Sequence, residues 1–345
     1  MHRICTSLQE AGHSVTLVGR QLPTSPPLTE KPYRQLRLRC ARNRGKAFYA
    51  EFNARLYRRL RGEDFDLVYS VDLDTLLAGY FLHFGGRKWV YDAHEWFSET
   101  PEVHHRPAIR MAWDRFGKWL VPKTDARITV GPALGGKLED AYGVPFGTIR
   151  NVPYYNAGLK SEILEGVILY QGMLNPGRGL ETLIESMAYL PEEACWIVGD
   201  GPERKRLERL AATLQVSERV WFAGYRPPER LGELTRKAWL GVNLLVSDSP
   251  SYYYSLANKA LDYVQAGLPS IQMDFPEYRA LNETYDCYRL LPELRTDLLV
   301  AEVEHLRDHP EQYAELRRNC QHAAIELCWE REEQRLLTLI ESLRH

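Results

Sequence analysis

The chain has 345 residues, 44% of them hydrophobic and 26% charged, with a net charge of −2. That composition excludes a disordered or fibrous chain, and the near-balanced charge excludes bulk nucleic-acid binding. At roughly 150 residues per domain the length calls for two domains.

Short β-branched or apolar runs alternate with amphipathic stretches along the chain, the pattern of parallel sheets with crossover helices. In the first half, strands are predicted over 14–18, 67–71, 89–93, 127–130 and 148–152. Residues 31–61 hold many basic side chains against Glu51 alone. They are expected to form either a solvated helix face or a surface that meets anionic lipid or an acidic acceptor. Asp72-Leu73-Asp74 has the form of a metal-binding D-x-D. An aspartate directly before "TLLAGYFL" reads instead as a helix cap, so no metal site is expected. The strand over 89–93 runs into Asp92, His94 and Glu95. A histidine at a strand's carboxyl end can hydrogen-bond a substrate hydroxyl or phosphate and titrates near neutrality; the other reading is a structural histidine. His104 and His105 read as surface residues of a loop.

"NVPYYNAGLKSEILEG" breaks the periodicity with Pro153, Gly158 and Gly166 and reads as a linker, with a boundary near residue 160. Beyond it, strands are predicted over 167–171, 195–198, 220–223, 241–246 and 269–273. The loop after the first of these carries Gly172, Gly177 and Gly179 around Arg178, in outline a diphosphate site: close backbone approach plus a permanent cation. Gly199-Asp200-Gly201 begins like a dinucleotide fingerprint, but Arg204 stands at the third glycine position, so no nicotinamide or flavin is expected. In "SYYYSLANKALDYVQAG", Ser255 is expected to cap a helix whose amides at Leu256, Ala257 and Asn258 point outward. Asp262 follows about two turns later on the same side, and Leu256, Ala260 and Tyr263 have core spacing. The final stretch, 329–345, has apolar residues at Leu336, Leu337, Leu339, Ile340 and Leu343, a helical spacing with charges on the other face, and that helix needs a surface to pack on. No apolar run reaches the roughly 18 to 20 residues of a membrane span. The six cysteines are scattered without a C-x-x-C pair, and reduced thiols in a cytosolic protein are expected.

Asp92-Ala93-His94-Glu95, "YQGMLNPGRGLETLIE", "IVGDGPE", "FAGYRPPERL" and "SLANKALDYVQAGLPSI" together, in this order, resemble the family 4 retaining glycosyltransferases, in particular the subgroup with a D-A-H-E strand end. The resemblance implies an α/β, GT-B fold of two facing Rossmann-like domains. Residues 1–160 would form an acceptor-side domain, 161–328 a nucleotide-sugar domain, and 329–345 a helix crossing back to the first. It implies transfer of a sugar from a nucleotide-diphosphate donor to a hydroxyl acceptor, a lipid-linked one among the candidates, with retained configuration. Polysaccharide, glycolipid or other glycoconjugate synthesis is the implied setting, with no metal and no cofactor beyond the co-substrate. Location would be cytoplasmic and peripheral at the inner membrane face, through the 31–61 stretch. Arg178 corresponds to the residue holding the diphosphate, His94 to the histidine facing the donor sugar, and Asp262 to the acid that binds the ribose. Tyr225 and Arg226 fall where the nucleobase is met. Gly172, Asn175, Gly177, Gly199, Gly201, Tyr254, Ser255, Leu256, Ala257, Asn258 and Lys259 complete the implied donor site.

Three positions depart from the family pattern. Met173 replaces an arginine that often follows the first loop glycine, Tyr254 and Asp262 stand where two glutamates are usual, and a first strand with its loop is expected before Met1, so that a misplaced start is the reading for the N-terminus. These departures keep a second expectation open, a binding or partner protein that uses the same scaffold without turnover.

Overall fold

The computed structural model describes residues 1–156 and 162–344. The expected boundary at residue 160, and Gly158 of the expected linker, lie outside the described residues. The chain separates into two compact units, Met1–Arg150 with Arg331–His345, and Asn151–Glu330. Among the described residues no helix is long and apolar enough to cross a membrane.

The first unit runs α1 (His2–Glu10), β1 (Thr16–Gln21), β2 (Arg34–Arg39), α2 (Lys46–Leu60), β3 (Leu67–Val71), α3 (Leu76–Leu82), β4 (Lys88–Ala93), α4 (Pro101–His104), α5 (Pro107–Leu120), β5 (Ala126–Thr129), α6 (Pro132–Tyr142) and β6 (Gly147–Thr148). All its strand pairs are parallel, in a β1-β2 ladder and a β3-β4-β5-β6 sheet that share no ladder among the described residues. One apolar cluster nevertheless serves both: Phe48, Phe52 and Leu56 of α2 pack with Ala78 and Leu82 of α3, against Val18, Leu38 and Val68 from the strands. The basic stretch is therefore not a single helix face. In β2, Leu36 and Leu38 alternate with Gln35 and Arg37, and period two turns alternate side chains to opposite faces, Leu38 toward the cluster. The strand expected over 148–152 is shorter, because pairing with β5 is confined to Gly147 and Thr148.

The second unit runs β7 (Val167–Gln171), α7 (Leu180–Ser186), β8 (Ala194–Val198), α8 (Arg204–Thr213), β9 (Val220–Gly224), α9 (Pro228–Lys237), β10 (Leu240–Asn243), α10 (Pro250–Tyr253), α11 (Asn258–Gln265), β11 (Ser270–Met273), α12 (Pro276–Tyr285), β12 (Tyr288–Leu291), α13 (Thr296–Asp308) and α14 (Pro310–Glu326). Its six parallel strands take the order β12-β11-β10-β7-β8-β9. Strand β12 has no counterpart in the sequence reading: Arg289 sits inside a four-residue run, and the preceding turn is set by Asp286 at φ 46°, a residue that tolerates the left-handed region. The buried strands read as continuous apolar runs, as expected where helices cover both faces. Tyr263 of α11, fully buried, lies on Gly241, where a Cβ would come 2.7 Å from the ring, and donates its hydroxyl toward the carbonyls of Leu169 and Val242, both at 3.2 Å. Helix α15 (Trp329–Ser342) begins in this unit and continues, from Arg331, in the first.

Candidate active site

The two central strands of the second unit, β7 and β10, lead the chain in opposite directions across the sheet: β8 and β9 follow on one side, β11 and β12 on the other. Ligands of such sheets bind beyond the carboxyl ends of the strands where the order reverses. Two loops meet at that point, and the amide of Val246 after β10 donates to the carbonyl of Gly177 after β7 at 3.1 Å. Gly179 has φ 63°, and a Cβ there would stand 2.2 Å from the carbonyl oxygen of Leu244, so no larger residue permits the approach. The third loop is held as tightly. Gly199 after β8 has φ 152°, and a Cβ on it would come 1.8 Å from the carbonyl oxygen of Gly172. The amide of Leu174 donates to Asp200 at 3.0 Å, joining the loop of Gly172 and Asn175 to that of Gly199 and Gly201.

Two cations stand at these loops. Arg178 places its guanidinium 4.8 Å from the centroid of the Tyr252 ring, and its Nε is buried without a hydrogen-bond partner. Lys259 of α11 is 8% exposed, with Nζ 4.1 Å from the centroid of Tyr170. Burial, then the nearby Arg178 charge, pull the Lys259 pKa well below the usual lysine value, against an opposing pull from Asp262. Neither cation forms a salt bridge among the described residues. Two like charges held this way, one of them costly to keep charged, make a site for a polyanion. Asp262 accepts from Nε2 of the buried Gln171 at 2.9 Å, and Thr235 donates to Gln171 Oε1 at 2.7 Å, which fixes both the amide's orientation and the carboxylate.

The three tyrosines separate. Tyr252 lies against Arg178, whereas Tyr253 packs on Phe275 at 4.9 Å and Tyr254 stands edge-on to Tyr253 at 5.0 Å. The expected cap is corrected: Ser255 does not cap α11 but donates its hydroxyl to the carbonyl of Tyr252 at 2.8 Å, because a separate short helix, α10, ends there and is itself capped by Ser249. Helix α11 starts at Asn258 after Ala257, and the Ala257 amide donates to the hydroxyl of Tyr278 at 3.1 Å rather than standing open to an anion. Leu256 is a core residue at 6% exposure, as are Ala260 and Tyr263, both at 0%. Asn258 is exposed and accepts from Asn151 Nδ2 at 3.1 Å. Tyr225 is 73% exposed beyond the edge strand β9, and the Arg226 guanidinium lies 5.9 Å from the centroid of Trp221. Met173 is 63% exposed on the first loop. A separate cavity of about 510 Å³, lined among others by Glu193, Trp239, Arg307 and Tyr313, borders the opposite, amino ends of β7, β8 and β10 and contains none of the expected site residues.

In the first unit, His94 follows β4 directly. Its Nε2 lies 3.1 Å from Asp92 Oδ2, which also accepts from the Tyr69 hydroxyl at 2.8 Å. The expected cap is corrected: Asp74, directly before "TLLAGYFL", caps no helix, since no side chain caps the turn over 73–75 or α3; Asp72, with φ 54°, takes the backbone amide of His94 on Oδ1 at 2.9 Å. Burial pushes the Asp72 carboxyl up to about 7, partly offset by His94. Burial lowers the His94 pKa, but the hydrogen bond and charge of Asp92, with Asp72 adding to them, outweigh it and raise the value. His104, expected on the surface, is instead half-buried 2.7 Å from a carboxylate oxygen of Glu99, a 4% exposed acid that also takes Arg110 at 2.6 Å.

Sequence reasoning missed Gln171, Tyr170 and Tyr278, which orient Asp262, Lys259 and the start of α11. Gln171 ends the best-defined strand of the second half and was open to detection as a polar residue in an apolar run. Tyr278 is contributed by α12, and no local signal connects it to the site.

A Gly-bound loop with an unneutralised cation pair in one α/β unit, and a carboxylate-held histidine at a strand end in another, define the class. Residues 1–153 match the Glycosyltransferase Family 4 model and residues 161–326 the Glycosyl transferases group 1 model, and the chain belongs to the family 4 glycosyltransferases of GT-B fold. Over 84 residues it is 40% identical to the lipopolysaccharide core biosynthesis glycosyltransferase LpsE of Rhizobium meliloti (strain 1021), a match covering 24% of this chain and 25% of that one. The chain spans less than half the length of the curated relatives it matches. Among solved structures, sucrose-phosphate synthase from Thermosynechococcus elongatus superposes with a TM-score of 0.82 at 20% identity, over 99% of this chain and 92% of that one. Anabaena Alr3699/HepE, solved in complex with UDP-glucose, gives a TM-score of 0.75 at 15% identity, over 95% and 99%.

Proposed function

We propose that this chain is a retaining, metal-independent glycosyltransferase that moves a sugar from a nucleotide-diphosphate donor to a hydroxyl acceptor in glycoconjugate synthesis. The observation that carries the reading is the pair Arg178 and Lys259, neither in a salt bridge among the described residues, beyond the carboxyl ends of the central strands. A diphosphate leaving group gains charge as its bond to the sugar breaks, and preorganised cations stabilise that charge without a metal. In the retaining step proposed here, the bond from the anomeric carbon to the diphosphate oxygen breaks and a bond to the acceptor oxygen forms on the same face. The acceptor proton passes to the departing phosphate. Asp262 is assigned to the ribose hydroxyls, Tyr225 and Arg226 to the base, and turnover is assigned to depend on His94. The loop glycines 172, 177, 199 and 201, with Asn175, complete the donor site, and a nucleotide-sugar complex of a protein of the same fold supports that donor class. The acceptor is taken to be lipid-linked and the location cytoplasmic, at the inner membrane face.

Calorimetry with UDP and a donor hydrolysis and transfer assay test the reading. Arg178→Ala is expected to weaken diphosphate binding by about 2–4 kcal/mol. His94→Ala is expected to lower kcat while leaving UDP affinity within about twofold. UDP affinity unchanged in Arg178→Ala removes the arginine from the site. Saturable donor binding with no turnover on any donor or acceptor turns the assignment to a binding protein on this scaffold.

A further inference from the structure

The cavity at the amino ends of β7, β8 and β10 has no part in the donor chemistry, because ligands of such sheets meet the carboxyl ends of the strands. It lies wholly in the second unit. Its residues include those directly before three neighbouring strands: Gly166 before β7, Glu193 before β8 and Trp239 before β10. The end of α13, with Arg307, and the first turns of α14, with Tyr313 and Arg317, form the rest of the wall. Its volume of about 510 Å³ is that of a small-molecule site, for which about 300–1,000 Å³ is usual.

Two polar groups in that wall are unsatisfied. Glu193, 2% exposed, accepts from Arg307 Nη1 on Oε1 at 3.1 Å, while its Oε2 is buried with no hydrogen-bond partner among the described residues. Nε of Arg317 is buried and likewise unpartnered. A buried carboxylate oxygen calls for a donor and a buried guanidinium N–H for an acceptor. Beside them, Trp239 and Tyr313 stack at 5.4 Å, and the Tyr313 hydroxyl donates to the Trp239 carbonyl at 2.6 Å, which makes a rigid apolar wall. Charge narrows the ligand. Glu165 and Glu192 are exposed at the same cavity, so three carboxylates face two guanidiniums, one of which Glu193 already holds. A phosphate would meet the acids and an amine the arginines. Neutral hydroxyls both donate and accept, and so satisfy Glu193 and Arg317 together, with the C–H face of the ligand on the rings. A flat heterocycle would need an open ring face, whereas Trp239 is 8% exposed with Tyr313 already stacked on it. We propose that this cavity is a second saccharide site, which holds a neutral mono- or disaccharide by hydroxyls between Glu193 and Arg317, at the sheet end opposite the donor loops. The proposal stands independently of sugar transfer.

The test is a saturation-transfer NMR titration of the full chain with glucose, N-acetylglucosamine and maltose, with adenosine and inorganic phosphate as controls. At least one sugar is expected to bind saturably. Arg317→Met, which removes the N–H donor from a half-buried position, and Glu193→Gln should each raise its Kd about tenfold, with UDP affinity unchanged as evidence of folding. Arg178→Ala, which alters the donor loops, should leave the sugar Kd at its wild-type value. Sugar should also change tryptophan emission in the wild-type chain and not in Trp239→Phe, a readout that holds even where Glu193→Gln fails to fold. No saturable binding by any of the three sugars overturns the proposal, as does a sugar Kd unchanged in a folded Arg317→Met. A Kd raised in Arg178→Ala but not in Arg317→Met assigns the sugar to the donor site and overturns it too. So does adenosine or phosphate binding that Arg317→Met abolishes while no sugar binds, which gives the cavity to a heterocycle or an anion.

Discussion

At the scale of single residues, protonation links the candidate site to pH. Lys259 has a depressed pKa because it is buried and stands near Arg178. A bound diphosphate supplies opposite charge and raises that pKa, so binding takes up a proton and affinity falls as pH rises through the shifted value. Calorimetry of UDP binding in buffers of different ionisation enthalpy should show this uptake, and Lys259→Met should abolish it while weakening binding. His94 behaves in the opposite sense: its pKa is raised despite burial because Asp92 stabilises the charged ring. Its contribution to stability is present below the unfolded histidine value of about 6.5 and is lost as pH rises through the folded value. Asp92→Asn removes that partner's charge and should lower the His94 pKa by about one unit or more, read from the imidazole proton resonances in an NMR titration.

At the scale of elements, the loops after β7, β8 and β10 are locked by glycine. Gly199→Ala brings a Cβ into the carbonyl of Gly172 at a φ that side chains rarely adopt. It should cost at least about 2 kcal/mol in urea unfolding of the full chain and weaken UDP binding, since the Gly172 loop has to move. The helix that begins in "SYYYSLANK" shows how elements partition a run of similar residues. Ser249 caps α10, Ser255 closes it, and of the three tyrosines between them Tyr252 contacts Arg178 while the other two pack on one another and on Phe275.

At the scale of the whole molecule, residues distant in sequence complete the first unit. Glu332 of α15, 1% exposed, accepts from the amide of Arg150 at 3.1 Å, from its guanidinium at 3.2 Å and from Arg335 at 2.9 Å. Leu336 and Ile340 of the same helix are buried. Removing one partner of a buried ion pair strands the other, so Glu332→Ala should destabilise the chain by about 3 kcal/mol, measured by chemical denaturation, with a smaller loss for Glu332→Gln.

Local rules carried much of this in advance. Strands β3 and β7 were legible to the residue because short, mainly apolar runs bounded by turn residues have one economical use in a sheet covered by helices, and the loop glycines were legible because backbone crowding leaves no other residue type. Strand β2 was hidden by its arginines, since a half-exposed strand beside a basic helix has the composition of a charged surface. The capping roles of Asp74 and Ser255 were misread for a related reason: a short polar side chain before a helix has several backbone groups within reach, and sequence does not rank them. The sequence by itself determined the parallel α/β class, the Gly-Arg loop and the strand-end histidine, each of which depends on neighbours along the chain. Tertiary structure alone decided that Lys259 is buried beside Arg178, that Asp72 holds the His94 amide, and that Glu193 and Arg317 stand in the wall of one cavity. Those facts depend on solvent exclusion and distances between segments far apart in sequence.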